Sequence, residues 1–457
     1  MINNLESLKL LDSYVRLPTI SSQITPEIVA QVQTFWRNLG LEFEQLWPQT
    51  PGPGNIQNPA LFCEIPADKP DTPTLLLYGH WDVQPSGDVS QWVWHEQLCP
   101  PFQPTYFLDN NYIGSNPQEF LGTLDPNVLG RLLMVGRGAA DNKGQHLANI
   151  LGVLRAKNAG TLQWNIKILL DGEEEVGSPN LRAIVHNHRS RFPADFMVGS
   201  DGPKSDNFPT LLLGVRGLLA LTVRCQNGSG RMLHSGNYGN ITPNPTLPLA
   251  QLLDDMAAAV DEMGQVSTTF RAEVDNFFGK ISPDRPRFEP FLYPTFNINS
   301  LMTEGATSGQ RRTIIPSWVE ASIDVRLIPG LNPQEVYQRL AAIVEKANRS
   351  QVGLSFVIMQ GSSTAASYTS PQREGYAWLK AVVDNFWGEG VRLIPILGGT
   401  LPNDIFTEDL GLASYWLPAA NSHNRQHDTN EHFILEHFFR QQEFYEALAS
   451  TPYQKLI

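Results

Sequence analysis

Apolar runs that stop abruptly at ionisable residues organise the first half of this chain. Leu75 to Tyr78 leads into His80 and Asp82 within LLLYGHWDV. Ile166 to Leu170 leads into Asp171, Glu173, Glu174 and Glu175, and Phe196 to Val198 leads to Asp201. A short unbroken apolar run bounded by turn residues reads as a buried strand. In parallel α/β sheets, ligands bind outside the carboxyl ends of such strands. Between the first two runs, MVGRGAADNKGQ is a glycine-rich loop, and HLANILGVLRAKNAG carries apolar residues at helical spacing. Asp141 then falls near a helix N-terminus. Strand ends and loops that each deliver a carboxylate or imidazole predict one sheet whose loops share one site.

The texture changes after about Gly214. Leu218 to Arg224 alternates as a half-buried strand does, and Leu247 to Met263 has helical composition. RTIIPSWVEASIDVRLIPG reads as a strand pair, NPQEVYQRLAAIVEKANRS as a helix with Pro in its first turn, and GLSFVIMQ as a strand. These elements predict a small α+β layer of the ferredoxin-like kind. GYAWLKAVVDNFWG is a further helix, and VRLIPILGG returns to the first pattern. The expected fold is therefore α/β: a mixed, largely parallel sheet flanked by helices, interrupted by a smaller α+β ferredoxin-like domain. The expected boundaries are 1–214 and 393–457 for the interrupted domain, and 215–392 for the insertion. Residues 108–133 form a long polar insertion with no legible role.

Composition narrows the class. At 457 residues the chain has room for two or three domains. A net charge of −13 argues against a nucleic-acid partner, since no basic patch is available to neutralise phosphates. No apolar run approaches the roughly 20 residues of a membrane helix. The opening MINNLESLKLLDSYVRLPTI is an amphipathic helix without the apolar core of a signal peptide. Cys63, Cys99 and Cys225 are widely spaced and odd in number, which fits free thiols in a reducing compartment, by default the cytoplasm.

The ionisable residues at the strand ends have the chemistry of metal ligands. An outward-reading His80 with Asp82 close enough to fix its tautomer is a familiar ligand arrangement. His80, Asp141, Glu175, Asp201 and a second histidine approach the set that two metal ions sharing one bridging carboxylate require. The tail, NSHNRQHDTNEHF, offers His423, His427 and His432 for that position. Imidazole and carboxylate without thiolate suit Zn²⁺, Mn²⁺ or Co²⁺. Neighbouring Glu174 and Glu175 can point differently on a turn, one to a metal and one free as a base.

Taken jointly, GHWDV, GRGAADNKG, DGEEEVGS, SDGP, LHSGNYG and HDTNE resemble the signatures of the carnosinase, aminoacylase and glutamate-carboxypeptidase family of di-metal amidohydrolases. They occur in order from about residue 70 to the C-terminus. The resemblance implies two divalent ions, Zn most simply, with Mn or Co as alternatives. It implies that His80, Asp141 and Asp201 hold one ion, Asp141 bridging, and that Glu175 and His427 complete the second. His427 is implied over His423 because Asn430 and Glu431 follow it at the family's spacing. Asp82 would orient His80, and Glu174 would be the general base. His234 would stabilise the oxyanion, Arg326 would grip a substrate carboxylate, and Thr400 would lie near the substrate. The inserted domain would be a lid and dimerisation domain. The chain departs from the pattern at Asn142, where a second aspartate is common, in the length of the 108–133 insertion, and in the residues preceding His427.

The implied activity is hydrolysis of the amide bond in a dipeptide, or similar small substrate with a free carboxylate, by a metal-bridging hydroxide with Glu174 as base. A homodimer is the implied assembly. N-acyl-amino-acid deacylation by the same chemistry is the alternative, and an inactive binding protein on this fold is the alternative of another class.

Overall fold

The computed structural model describes residues 3–49, 57–121, 124–266, 268–280, 282–304, 312–388 and 390–453. They form two compact units. The first comprises 1–213, 369–394 and 405–457, and the second comprises 214–368 and 395–404.

The first unit is built on an eight-stranded mixed sheet. Its order is Glu44–Leu46, Ala60–Ile65, Asn165–Asp171, Thr74–His80, Phe196–Gly199, Ala413–Trp416, Thr210–Leu212, Arg392–Ile394. The four central strands run parallel. Three of them are the apolar runs that end in ionisable residues, and they are immediate neighbours, with His80 opposite Asp171 in the register. Leu75 to His80 is buried throughout. Both faces of these strands are covered, which is why they read as unbroken apolar runs and not as alternation. The helix Lys143–Asn158 is buried on nearly all sides. It packs on Leu435–Ser450, and a Cβ at Gly152 would lie 2.4 Å from the Gln442 carbonyl oxygen, so only glycine permits that approach.

Part of the polar 108–133 insertion is regular. Thr105–Leu108 and Asn111–Gly114 form a hairpin through Asp109 and Asn110, both at positive φ, as a type I′ turn requires. Leu132–Val135 pairs with Thr105–Leu108 on one side and with the tail strand His432–Ile434 on the other. The end of the insertion thereby pairs with the tail strand that begins at His432. Residues 122 and 123 lie outside the described residues.

The second unit is a four-stranded antiparallel sheet in the order Thr295–Thr303, Trp318–Leu327, Gly217–Asn227, Leu354–Thr364. Along the chain it runs strand, helix, strand, strand, helix, strand, which is the ferredoxin-like topology. Alternate residues Leu219, Leu221, Val223 and Cys225 meet Val319, Ala321, Ile323 and Val325 in one core with the helices Thr246–Val266 and Pro333–Ser350. Asn332 caps the latter, accepting from Gln334 and Glu335 amides, with Pro333 at its start. Two expectations change. The 312–330 stretch holds one long strand, Trp318–Leu327, and only a two-residue strand at Ile314–Ile315. The partner strand is Thr295–Thr303, hidden in sequence by its exposed Asn297, Ile298 and Asn299-containing stretch, which lacks buried alternation. The helix Tyr376–Trp387, assigned by its position to the insertion, packs in the first unit, where Trp378 meets Trp164, Phe196 and Tyr453. Its apolar face requires that aromatic cluster.

Candidate metal centre

Six strand-end and loop residues of the first unit converge. His80 Nε2 lies 3.0 Å from Asp141 Oδ1, 3.5 Å from Asp201 Oδ2 and 3.9 Å from Glu174 Oε2. The other oxygen of Asp141, Oδ2, lies 3.2 Å from His427 Nε2, which is also 3.2 Å from Glu175 Oε2. One carboxylate therefore presents one oxygen to each imidazole. His80 and the carboxylates are buried or nearly so, whereas the His427 side chain is 60 % exposed, so the tail forms the solvent side of the centre.

Each member is held by partners that face away from the centre. His80 Nδ1 meets both Asp82 Oδ1, at 3.2 Å, and the Asp82 carbonyl, at 3.1 Å, leaving Nε2 for the centre. The same Asp82 carboxylate accepts from Ser21 Oγ and from the Glu174 and Glu175 amides, so it also fixes the acidic turn. Glu173 takes no part in the centre. It accepts from the Asn58 and Asn180 amides and from the Asn180 side chain, and Gly177, at φ 86°, closes the turn behind it. Asp171 accepts from Ser178 Oγ at 2.6 Å. The loop bearing Asp141 is held by Glu431, buried in the tail, which accepts from the Gly138, Ala140 and Asp141 amides and from Arg137.

The residues fit a cation. Glu175 Oε2 is buried with no hydrogen-bond partner among the described residues, although His427 Nε2 is 3.2 Å away. Donor spacings near 3 Å suit nitrogen and oxygen ligands at roughly 2.0–2.2 Å from a metal. Without a cation, four crowded carboxylates are electrostatically costly. Burial pushes Asp201 up to about 7, with Asp141 adding to the shift, and burial likewise raises Glu174 and Glu175. Burial also opposes ionisation of Asp141, but His427 and His80 outweigh it and hold this carboxyl well below the usual range. Asp141 and Glu175, in turn, raise His427 to about 10.

The remaining residues singled out by sequence lie elsewhere. His423 lines a cavity of about 740 Å³ with Trp94, His95, Arg425 and His432. His432 Nδ1 is 3.0 Å from the Asn430 carbonyl, and its ring packs against Trp94. In the second unit, His234 is exposed on a two-residue strand paired with Ile314–Ile315. Its Nδ1 accepts from the Gly236 amide at 3.1 Å, so the ring proton sits on the outward Nε2. Arg326 Nε donates to Asp324 Oδ2 at 3.0 Å, and its Nη1 donates to Thr400 Oγ1 at 2.9 Å. Sequence reasoning passed over Glu431 as a support for Asp141, together with Arg137, Ser21 and Asn58. A buried Arg137 inside a glycine-rich loop was the available signal, since a charge there requires a counter-ion.

Comparison with known proteins agrees with this architecture. Residues 213–352 match the model of the peptidase dimerisation domain. The chain is 26 % identical over 387 residues to the Beta-Ala-His dipeptidase of Rattus norvegicus, covering 76 % of this chain and 72 % of that one. It is 25 % identical over 474 residues to the Cys-Gly metallodipeptidase of Schizosaccharomyces pombe, covering 94 % and 92 %. Its fold matches that of an M20 family metallo-carboxypeptidase from Sulfolobus solfataricus with a TM-score of 0.74 at 22 % identity, over 97 % of this chain and 98 % of that one. No helix among the described residues is long and apolar enough to cross a membrane. With its strand-end signatures, its ligand-type cluster and a segment that matches the peptidase dimerisation domain, the chain as a whole is similar to metallodipeptidases.

Proposed function

We propose that this chain is a dipeptidase that uses two divalent metal ions to hydrolyse small peptides with a free carboxylate. The observation that carries the reading is Asp141, whose two oxygens face His80 and His427 separately. His80, Asp141 and Asp201 would hold one ion, and Asp141, Glu175 and His427 the other. Bound there, divalent ions polarise a carbonyl and make water acidic enough to serve as a nucleophile.

The protein groups divide the remaining work. Glu174, raised above the usual carboxylate range chiefly by burial, takes a proton from water and returns it to the leaving amine. Asp82 keeps His80 and the Glu174–Glu175 turn in register. His234, with its exposed Nε2–H, is the proposed oxyanion donor, acting on the site of a partner subunit in a homodimer. Arg326, steadied by Asp324 and Thr400, takes the substrate carboxylate. The names of the relatives, Beta-Ala-His dipeptidase and Cys-Gly metallodipeptidase, favour dipeptides over N-acyl amino acids.

The test is metal analysis of the purified protein, followed by a panel containing β-Ala-His, Cys-Gly, other dipeptides and N-acyl amino acids. The expected result is about two ions per chain and dipeptide cleavage that a chelator abolishes and Zn²⁺, Mn²⁺ or Co²⁺ restores. Cleavage confined to N-acyl amino acids would shift the assignment to a deacylase. A chain that binds no metal and cleaves nothing would mark a binding protein.

A further inference from the structure

Arg216 is a charged side chain with no counter-ion among the described residues. It is 5 % exposed, and among the described residues no carboxylate lies within ion-pair distance of it. One guanidinium nitrogen donates to Thr295 Oγ1 at 3.0 Å, while its Nε is buried with no hydrogen-bond partner among the described residues. Burying an arginine without a carboxylate is among the more costly arrangements in a protein interior. Such a group calls for an anion that the described residues do not provide.

Its surroundings locate that anion. Thr295 pairs with Arg326 across neighbouring strands, and Asn297 pairs with Asp324, so all four share one face of the sheet. That face is opposite the helices, because Val325 and Ile323 point into the core. A polar chain joins the two guanidinium groups: Arg216 to Thr295, Thr295 to Asn297 at 3.3 Å, Asn297 to Asp324 at 3.4 Å, and Asp324 to Arg326 at 3.0 Å. Two cations share one carboxylate, which leaves one positive charge in excess. Burial, then repulsion from Arg326, moves Arg216 down to about 10.

We infer that Arg216 is a second carboxylate-binding residue, which shares the free carboxylate of the substrate with Arg326. The inference rests on the dipeptidase reading above. A planar carboxylate has two oxygens and can accept from two guanidinium groups at once. Arg216 thereby selects substrates that end in a free carboxylate and rejects those that are neutral at that end.

The test compares the best substrate of the dipeptide panel with the same dipeptide amidated at its C-terminus. Wild type should prefer the free carboxylate. Arg216→Met should raise KM for the free dipeptide by roughly 10- to 100-fold, the range expected for losing one charged hydrogen bond, with a smaller change in kcat. Its kcat/KM on the amide should stay near wild type, which also reports intact folding. Arg216→Lys, which keeps the charge, should fall between the two. Equal losses on both substrates in both Arg216 variants, with Arg326→Met selectively impaired on the carboxylate, would overturn the role of Arg216 and leave the dipeptidase reading intact. A wild-type enzyme indifferent to amidation would overturn the role of both arginines, and a chain that cleaves no dipeptide would overturn the reading beneath them.

Discussion

Glu431 holds the backbone of Asp141: its Oε1 accepts the Asp141 amide at 2.9 Å and the Ala140 amide at 2.8 Å. Its Oε2 takes the Gly138 amide and the buried Arg137. The carboxylate that faces both imidazoles is thus set in place by a second carboxylate 290 residues further along the chain. Glu431→Gln would leave Arg137 buried without its counter-ion and turn an amide N–H₂ towards backbone donors. Unfolding by denaturant should show a loss of about 3–5 kcal/mol, the range for a broken buried pair. Metal retention should fall with it. Unchanged stability and metal content would show that the loop is held by other means.

Adjacent Glu174 and Glu175 should respond differently. Glu174→Gln should keep the fold and metal content but lose at least roughly 10²-fold in kcat. Glu175→Gln should lower metal occupancy, because it removes a charge that faces His427. Near-normal turnover in the first variant, or full occupancy in the second, would reverse or dissolve this division.

Asp141→Ala should empty both metal positions, since the residue faces both imidazoles. His427→Ala should chiefly weaken one, and His423→Ala should leave the occupancy near wild type. Elemental analysis of the three proteins decides the matter. An occupancy loss in the His423 variant larger than in the His427 variant would move the ligand assignment to His423.

His234 lies on the dimerisation domain, and its proposed partner is the metal centre of a second subunit. Mixing inactive His234→Ala chains with inactive Glu174→Gln chains should give heterodimers with one intact site and one site lacking both groups. Activity should return to as much as half of the wild-type level per heterodimer. Subunits shown to exchange, yet still inactive, would exclude action in trans.

His437 should make the fold acid-sensitive independently of the metal centre. Burial, with Lys204 donating to its Nδ1 at 3.1 Å, holds it down at about 3. The unfolded imidazole binds a proton near 6.5, so below that pH the unfolded state takes up a proton that the native state refuses. Its contribution is therefore complete above about pH 6.5 and is lost as the pH falls towards 3. Between pH 7 and 4.5, chelator-treated wild type should lose about 2–3 kcal/mol more than chelator-treated His437→Gln. Parallel pH profiles for the two proteins in urea titrations would refute the linkage.

The chemistry at the strand ends was legible in the chain because it is local. A buried parallel strand must be apolar along its whole length, so the residue where that demand ends announces the mouth of the sheet, as His80 and Asp171 do. The α/β class and the ferredoxin-like insertion followed from periodicity in the same way. The strand Thr295–Thr303 escaped because its exposed face leaves little apolar alternation to read. Decisions between equivalent residues belonged to the tertiary structure. Spacing alone could not choose among His423, His427 and His432, since a tail loop can turn any of them inward, and the fold brings His427 to Asp141. Nor could it separate Glu173 from Glu174 and Glu175, because a tight turn sends neighbouring side chains in different directions. Arg216 was silent for the same reason: a missing counter-ion is a property of three-dimensional surroundings, and no single stretch of sequence records it.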